Sequence, residues 1–299
     1  LIFEAHATLY SDFSSKNKLR RSGIMTGKKE EIDRAVKEKL APKQFTKTPI
    51  NGTKFTILVS SAKGGVGKST VAINIAFALQ NLGLKIGILD ADVYGPSLTK
   101  LMNLNEKPKS EDGKAMMPLE KYDAQLMSMG FLVDEQTPMI WRGPMVISAI
   151  KTMTQKVLWK DRDVIIVDMP PGTGDTQLTF AQEVKVDGAI IVSTPQDLAL
   201  LDVKRGIQMF DKTGVKILGL IDNMSYFKGD DSKEYKIFGE SGVKKTAKEF
   251  NKEFLGHLPI HQDLRISADK GDPLTHSDPD HEVSKLFIEI AEKIKLSFR

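Results

Sequence analysis

The sequence predicts an α/β protein in which a doubly wound, mostly parallel sheet is flanked by helices. Short and nearly continuous apolar runs alternate with helical patterns from residue 55 to the C-terminus. Such runs are typical of strands that are covered on both faces. A glycine- and lysine-rich segment, residues 63–70, separates the first run from the first helical pattern. Polar residues directly follow several of the later runs, as at a ligand-binding edge of a parallel sheet.

Seven strands follow from apolar character and length, at residues 55–60, 85–90, 124–129, 163–168, 188–193, 216–221 and 254–259. Helical periodicity marks segments between and after them, including residues 71–79, 144–157, 197–213, 241–251 and 283–298. The alternation of strands with helices favours a parallel sheet with helices on both faces. The residues that follow the carboxyl ends of the strands are therefore the main functional candidates.

The segment Lys63-Gly64-Gly65-Val66-Gly67-Lys68-Ser69-Thr70 joins the first strand to a helix. In this context, the backbone N–H groups of the loop and the helix N-terminus are expected to bind the phosphates of ATP. Lys68 is expected to contact the β- and γ-phosphates, and the Ser69 hydroxyl to bind Mg²⁺. Lys63 is unusual, because an ordinary phosphate loop needs one lysine. A glycine-rich turn with basic neighbours is the simpler alternative, but it does not explain the flanking strand and helix.

Further polar residues follow other strands. Asp168 is predicted to hold Mg²⁺ through its water shell, with a turn-capping aspartate as the alternative. Asp92 is predicted to orient the attacking water, which makes it a catalytic candidate beside Lys68. Asp90 is predicted to share in magnesium or water contacts, although either aspartate is also typical of turns. Asn223 is predicted to pair with the purine edge, with a structural asparagine as the alternative.

The charge is uneven along the chain. Residues 1–50 carry eleven Lys or Arg and six Asp or Glu, a net charge of +5, whereas residues 51–299 have a net charge of −1. We therefore predict a basic N-terminal appendage or linker at 1–50, which is at most the remnant of a further domain, and an ATPase domain at 51–299. Residues 11–21 resemble a transit peptide in composition, but a solvated linker or the tail of a truncated domain is our preferred interpretation.

The composition argues against several classes. The 299 residues include no cysteine, which excludes disulfides and thiolate metal sites and is typical of an intracellular protein. No apolar run reaches the roughly 18 residues of a membrane span, and the ATPase domain has no net charge favouring nucleic acid. We expect neither a membrane nor a nucleic-acid partner. We expect a cytoplasmic location, with the mitochondrial matrix as the alternative. The five histidines show no close metal-ligand spacing and are interpreted as surface or packing residues.

A set of motifs resembles the Mrp/ApbC iron–sulfur cluster carrier ATPases, which belong to the deviant-Walker-A class of P-loop NTPases. The two-lysine loop is specific to this class, and Trp-Arg-Gly-Pro together with Met-Pro-Pro-Gly-Thr-Gly-Asp is specific to the carrier branch. The resemblance begins near residue 50, and its motifs lie at residues 63–70, 90–97, 127–133, 141–144, 168–175, 194–197 and 223–227.

The resemblance implies a homodimer that binds and slowly hydrolyses ATP. In such a dimer Lys63 would reach the partner's nucleotide and act as an arginine finger does. The resemblance further implies transfer of an iron–sulfur cluster to apoproteins, with assembly factors and apoprotein clients as partners.

The sequence departs from the carrier pattern in three places. Ala62 stands where the phosphate loop usually begins with glycine, and the N-terminal domain of many members is at most a remnant here. The Cys-x-x-Cys pair that members commonly carry after residues 223–227 is missing. Asp230, Asp231 and Glu234 are hard oxygen donors that replace thiolates poorly, so no iron–sulfur ligands are identifiable. Cluster ligands would then come from a partner or a small thiol, or the protein serves assembly as an ATP-driven adaptor.

A positioning ATPase of the Min or Par type, cycling on a membrane or nucleoid, is the alternative function. Its main support is the last predicted helix, residues 283–298, which has an apolar face and basic residues at its end. A terminal helix that packs on the domain explains the same pattern, and it is the interpretation that we favour.

Overall fold

The computed structural model describes residues 47–110, 113, 115–132, 143–240 and 242–298. Its strands are β1 (Thr53–Ser60), β2 (Ile86–Asp90), β3 (Leu119–Lys121), β4 (Ala124–Ser128), β5 (Arg162–Asp168), β6 (Gly188–Ser193), β7 (Ile217–Asp222), β8 (Phe227–Lys228), β9 (Glu234–Tyr235) and β10 (Phe254–His257). Eight of them form one sheet in the order β10-β7-β6-β1-β5-β2-β4-β3, and β8 pairs with β9 in a separate hairpin.

The helices connect these strands and cover the sheet. They are α1 (Lys68–Asn81), α2 (Leu98–Leu101), α3 (Gly143–Gln155), α4 (Asp175–Glu183), α5 (Asp197–Thr213), α6 (Gly242–Glu249), α7 (Gln262–Lys270), α8 (Leu274–Ser277) and α9 (Glu282–Leu296). One group, α1, α8 and α9, packs together, and α3 to α6 pack consecutively as a second group. The strands between these groups are almost completely buried, as a sheet covered on both faces requires.

The predicted fold class is confirmed, because every pair in the eight-stranded sheet except β3–β4 is parallel. The short edge strand β3 was not predicted. Its turn to β4 consists of Tyr122 and Asp123 with φ of 53° and 60°, and such two-residue turns usually carry Asn-Gly. The hairpin β8–β9 was also missed, and the strand expected at 124–129 ends at Ser128, because Met129 begins a 3₁₀ turn.

The last helix, α9, buries its apolar face against α1 and β10. Its buried side chains include Phe287, Ile290 and Ile294. This is the packed terminal helix that we favoured over a membrane-binding helix. None of the helices in the described ranges has the length and apolar character that a bilayer crossing requires. The predicted N-terminal appendage lies almost wholly outside the described residues, as do residues 11–21.

Candidate nucleotide site

Strand register brings the predicted polar residues to one edge of the sheet. Asp168 at the end of β5 lies opposite Val59 of β1 on one side and opposite Asp90 of β2 on the other. The phosphate loop leaves β1 at this same edge. The carboxyl ends of three adjacent strands therefore meet, as expected for a ligand site in a parallel sheet.

The phosphate loop has the backbone that its glycines predict. Gly65 and Gly67 adopt left-handed φ values of 80° and 79°, and Gly67 is the N-cap of α1. A Cβ atom at Gly67 would lie 2.5 Å from Nδ2 of Asn223, so only glycine fits there. These conformations let successive N–H groups face one ligand at the helix N-terminus.

A cleft of about 800 Å³ opens over this loop. It is lined by Gly64, Gly65, Gly67, Lys68, Ser69, Thr70 and Asp92, and also by residues of α2, of the segment that follows α2, and of the end of α7. Three predicted nucleotide contacts, Lys63, Val66 and Asn223, do not line the cleft. The structure thus brings together most of the predicted phosphate ligands.

Lys68 and Asp168 form a buried ion pair at the base of the cleft. The Lys68 Nζ atom contacts Oδ1 of Asp168 and lies 3.3 Å from the Ser69 hydroxyl oxygen. Burial raises the pKa of the Asp168 carboxyl, while the Lys68 ammonium and the Ser69 hydroxyl oppose that rise. An oxygen-donor set of one carboxylate and one hydroxyl, beside a phosphate loop, suits Mg²⁺. The residues present therefore fit the expected metal.

Asp90 is almost fully buried, and both of its carboxylate oxygens accept hydrogen bonds. Oδ1 accepts from the backbone N–H of Asp92 at 3.0 Å, and Oδ2 from that of Ser97 at 2.9 Å, with two further bonds from the Leu98 N–H and the Ser128 hydroxyl. Burial, and next the neighbouring Asp168, raise the pKa of Asp90 to about 7. Here Asp90 acts as the turn-forming aspartate that was our alternative, and a magnesium contact of Asp90 stays a prediction.

Asp92 and Lys63 are more accessible than this buried group. Oδ1 of Asp92 accepts from the N–H groups of Tyr94 and Gly95, both at 3.2 Å, and the residue lines the cleft. The half-buried Lys63 makes no side-chain hydrogen bond or ion pair with any residue that the structure describes. An uncompensated cation at this edge is compatible with action on a second molecule. Their predicted catalytic roles stay predictions.

Asn223 lies behind the phosphate loop. Its Nδ2 donates to the Val66 carbonyl oxygen at 2.8 Å, and its buried Oδ1 finds no partner among the described residues. The side chain therefore holds the loop, which is the structural role that we kept as the alternative. Pairing with a purine base stays a prediction.

Comparisons with known proteins agree on one family. The profile of the NUBPL iron-transfer P-loop NTPase matches residues 52–295. This chain belongs to that family. The chain is 50% identical over 254 residues to the iron-sulfur cluster transfer protein NUBPL of Dictyostelium discoideum, a match that covers 84% of this chain and 79% of that protein. It is 48% identical over 251 residues to an Arabidopsis thaliana iron-sulfur protein required for NADH dehydrogenase, mitochondrial, covering 83% and 80%.

A solved structure supports the same family. The nucleotide-binding protein of Archaeoglobus fulgidus in complex with ADP superposes with a TM-score of 0.67 at 35% identity, over 77% of this chain and 91% of that one. These findings confirm the resemblance to the iron–sulfur carrier branch. The cell division ATPase MinD of Pyrococcus furiosus also superposes, with a TM-score of 0.61 over 81% of this chain and 98% of that one, but at 19% identity. It therefore shows a shared fold and gives no support to the Min or Par alternative.

In this NUBPL family member, the segment in which the carrier resemblance leads us to expect Cys-x-x-Cys forms the hairpin β8–β9. Asp231 closes the turn, because its carboxylate accepts from the backbone N–H of Lys233 at 3.1 Å and from the Tyr235 hydroxyl at 2.9 Å. The N–H of Gly229 donates to the Lys233 carbonyl at 2.9 Å. The hairpin is thus held by its own hydrogen bonds and includes no thiol.

Two histidines that are distant in sequence meet near this hairpin. Nδ1 of His261 accepts from the N–H of Asp263 and caps α7, while Nδ1 of His281 accepts from the N–H of Val283 and caps α9. Nε2 of His281 lies 3.3 Å from Oδ2 of Asp263, and Nε2 of His261 lies 3.6 Å from Oε1 of Glu282. A neutral ring whose Nδ1 accepts has its proton on Nε2, so neither ring has a free lone pair for a metal.

Our interpretation of the histidines as packing residues therefore fits their contacts, although sequence spacing gave no sign of this cluster. Sequence reasoning also did not single out Ser128 or Gln177. Both lie in or next to motifs of the family resemblance, which was the available signal for them.

Proposed function

We propose that this protein is a magnesium-dependent ATPase of iron–sulfur cluster assembly that acts as a homodimer. The observation that carries the proposal is the convergence of the phosphate loop, the Lys68–Asp168 pair and Asp92 on one cleft. Membership in the iron-transfer family supports the biological role. The relatives' names refer to iron–sulfur clusters, and one of them is described as mitochondrial, which supports the matrix as strongly as the cytoplasm.

Each group in the cleft has a distinct task in this proposal. The loop N–H groups and Lys68 bind the triphosphate, which requires Lys68 to exchange its contact with Asp168 for the phosphates. Ser69 and Asp168 would hold Mg²⁺, which supplies charge neutralisation when bound. Asp92 orients the water that attacks the γ-phosphate, and Lys63 stabilises the developing charge on the nucleotide of the partner.

Exposed apolar side chains support a homodimer that meets at the strand-tip edge. Among the described residues, eight large apolar side chains are exposed. Six of them lie in loops, helix starts or the hairpin at the carboxyl ends of the strands, namely Tyr94, Met145, Leu201, Phe227, Tyr235 and Ile237. Concentrated apolar exposure is typical of a protein interface. A second copy docked there would also bring its Lys63 close to the nucleotide.

The cluster is cargo in this proposal, and this chain does not supply thiolates for it. The carboxylate of Asp231 in the hairpin is already used by Lys233 and Tyr235. Ligands from a partner or a small thiol, or an adaptor role without direct ligation, are both compatible with the ATPase.

Two measurements test the proposal. Phosphate release from ATP should require Mg²⁺, and its rate per chain should rise with protein concentration as dimers form. Anaerobic incubation with iron and sulfide, with and without glutathione, should give cluster absorbance and transfer to an apoprotein only with the added thiol. ATP turnover without any cluster would favour the adaptor role, whereas no turnover at any concentration would refute the ATPase.

A further inference from the structure

The loop that follows Asp168 has few ways to be held in place. Pro170 and Pro171 have no N–H groups, so the carbonyl of the buried Pro170 is the main group in this part of the loop that can form a hydrogen bond. It accepts a hydrogen bond from Nε2 of Gln177 at 2.6 Å. On either side, the N–H of Met169 donates to Val59 at 3.0 Å and that of Gly172 to Ser61 at 2.8 Å. Gln177 therefore fixes the stretch between two backbone anchors.

Gln177 connects this loop to the strand that carries the phosphate loop. Its Oε1 accepts from the hydroxyl of Ser60 at 3.0 Å, and Ser60 is the last residue of β1. Gln177 is 1% exposed, and both ends of its amide have hydrogen-bond partners inside the protein. A buried amide with two partners holds them at a fixed separation, because losing either bond would leave a buried polar group unsatisfied.

The loop held by Gln177 forms a wall of the nucleotide cleft. Pro171 lines this cleft, and its Cβ would lie 3.9 Å from a Cβ atom built at Gly64. An adjoining cavity of about 620 Å³ lies on the other side of the wall. Asp92 and Pro171 border both spaces, and Gln177 lines the second. A shift of the Pro170–Pro171 stretch would therefore change the space next to Asp92.

We propose that Gln177 is a positioning residue for ATP hydrolysis, acting through Pro170 and Pro171 rather than by touching the nucleotide. The inference rests on the proposed ATPase function. Gln177 keeps the loop wall at the distance from β1 at which Asp92 and the attacking water face the γ-phosphate. The Pro170–Pro171 stretch lies beside the phosphate loop, because Pro171 approaches Gly64, but it offers no N–H group to the phosphates. Loss of the Gln177 contact should therefore lower turnover more than it weakens ATP binding.

Three variants separate the two hydrogen bonds. Gln177→Glu keeps an acceptor for Ser60 but sets a carboxylate oxygen against the Pro170 carbonyl. Gln177→Met has similar length and lacks both bonds. Ser60→Ala removes only the bond to β1 and leaves the bond from Gln177 to Pro170 in place. For each variant, kcat from phosphate release and the Kd of Mg·ATP from calorimetry are measured, together with the thermal unfolding midpoint.

We expect Gln177→Glu and Gln177→Met to lower kcat about 10- to 100-fold with Kd changed less than about threefold. Ser60→Ala should lower kcat by a smaller factor, because Gln177 keeps its bond to Pro170 and loses only the one to β1. Wild-type turnover in Gln177→Met, or equal losses in kcat and affinity, would overturn the positioning role while leaving the ATPase intact. If Gln177→Glu fails to fold, Gln177→Met decides. Absence of turnover in the wild-type protein would instead refute the proposed function itself, and with it this inference.

Discussion

The phosphate-loop edge and the β8–β9 hairpin differ in how they hold charged side chains. At the loop, Lys68, Asp90 and Asp168 are nearly inaccessible to solvent, and each contacts another functional group. In the hairpin, Asp231 and Lys233 are exposed and satisfy each other locally. Burying a charge costs free energy unless the charge is paired. The phosphate-loop edge therefore has the features of a functional site, whereas the charges of the hairpin need only to stabilise a turn.

This difference indicates that nucleotide chemistry and cluster ligation are separable in this family member. Most residues that we propose to act on ATP line one cleft, whereas the hairpin, in the segment where the carrier resemblance leads us to expect cysteines, includes no thiol. Substitutions at the loop should therefore have large functional effects, and those in the hairpin small ones.

The largest effect is expected for Lys63→Ala. If Lys63 acts on the partner's nucleotide, its loss should lower turnover on the order of 10³-fold, as for an arginine finger, with little change in ATP affinity. Phosphate release and calorimetry measure the two quantities. Lys100→Ala, which removes an exposed lysine lining the same cleft, is the control and should keep most activity. Unchanged turnover in the Lys63 variant would contradict the role across the dimer.

Lys68→Ala should abolish measurable ATP binding, a loss of about 100-fold or more in affinity, because the main phosphate cation is removed. The same change leaves the Asp168 carboxylate buried without its partner, so the free energy of unfolding should also fall. Calorimetry and urea unfolding report these two effects. Lys270→Ala, at the α7 side of the cleft, is the matched control. If Lys68→Ala bound ATP with wild-type affinity, the triphosphate would have to bind at a site other than this cleft.

The buried Asp90 predicts a pH dependence of stability. Its folded pKa, about 7, lies above the ordinary value of 3.8, so the folded protein binds a proton more readily than the unfolded chain. This contribution is fully present below the unfolded pKa and is lost as pH rises through the folded value. Between pH 5 and 7, the loss of this contribution with rising pH should lower the free energy of unfolding by about 1.4 kcal/mol per pH unit.

Urea unfolding of the wild type and Asp90→Asn, across pH 5 to 8, isolates that contribution. The variant should be less stable at pH 5, because an amide nitrogen would face the N–H groups of Ser97 or Asp92, and its stability should change less with pH. Parallel pH profiles for the two proteins would show that Asp90 does not titrate in this range.

The smallest effect is expected for Asp231→Ala. The loss of two exposed hydrogen bonds should destabilise the protein by about 0.5–1 kcal/mol, with turnover and ATP affinity close to wild type. Thermal unfolding measures the change in stability, and phosphate release measures turnover. Because both carboxylate oxygens of Asp231 already accept hydrogen bonds within the hairpin, iron uptake during anaerobic reconstitution with glutathione should also be unchanged. A loss of iron uptake would mean that the hairpin contributes a ligand after all.

Local sequence patterns were sufficient for the sheet and the phosphate loop. Apolar runs and a glycine-rich strand–helix junction are short-range signals, and six residues of the segment 63–70 line the cleft, all except Lys63 and Val66. Three of the four hydrogen bonds to Asp90 come from residues at most eight positions away, which is why its turn role was a predictable alternative. Its fourth partner, Ser128, and the partner of Asn223, Val66, could not be predicted, because they are 38 and 157 positions away. The contact between His261 and His281 could not be predicted either, because the two residues are distant in the sequence. Short strands such as β3 and β8 carry too few residues for periodicity to detect.

Titration calorimetry of the iron-free protein with ATP, in the presence and absence of magnesium, tests the central claim most directly. The account predicts saturable heat with one nucleotide per chain, strengthened by magnesium, even though the chain has no cysteine. Absence of binding heat with magnesium present, from folded protein, would contradict the assignment of the cleft.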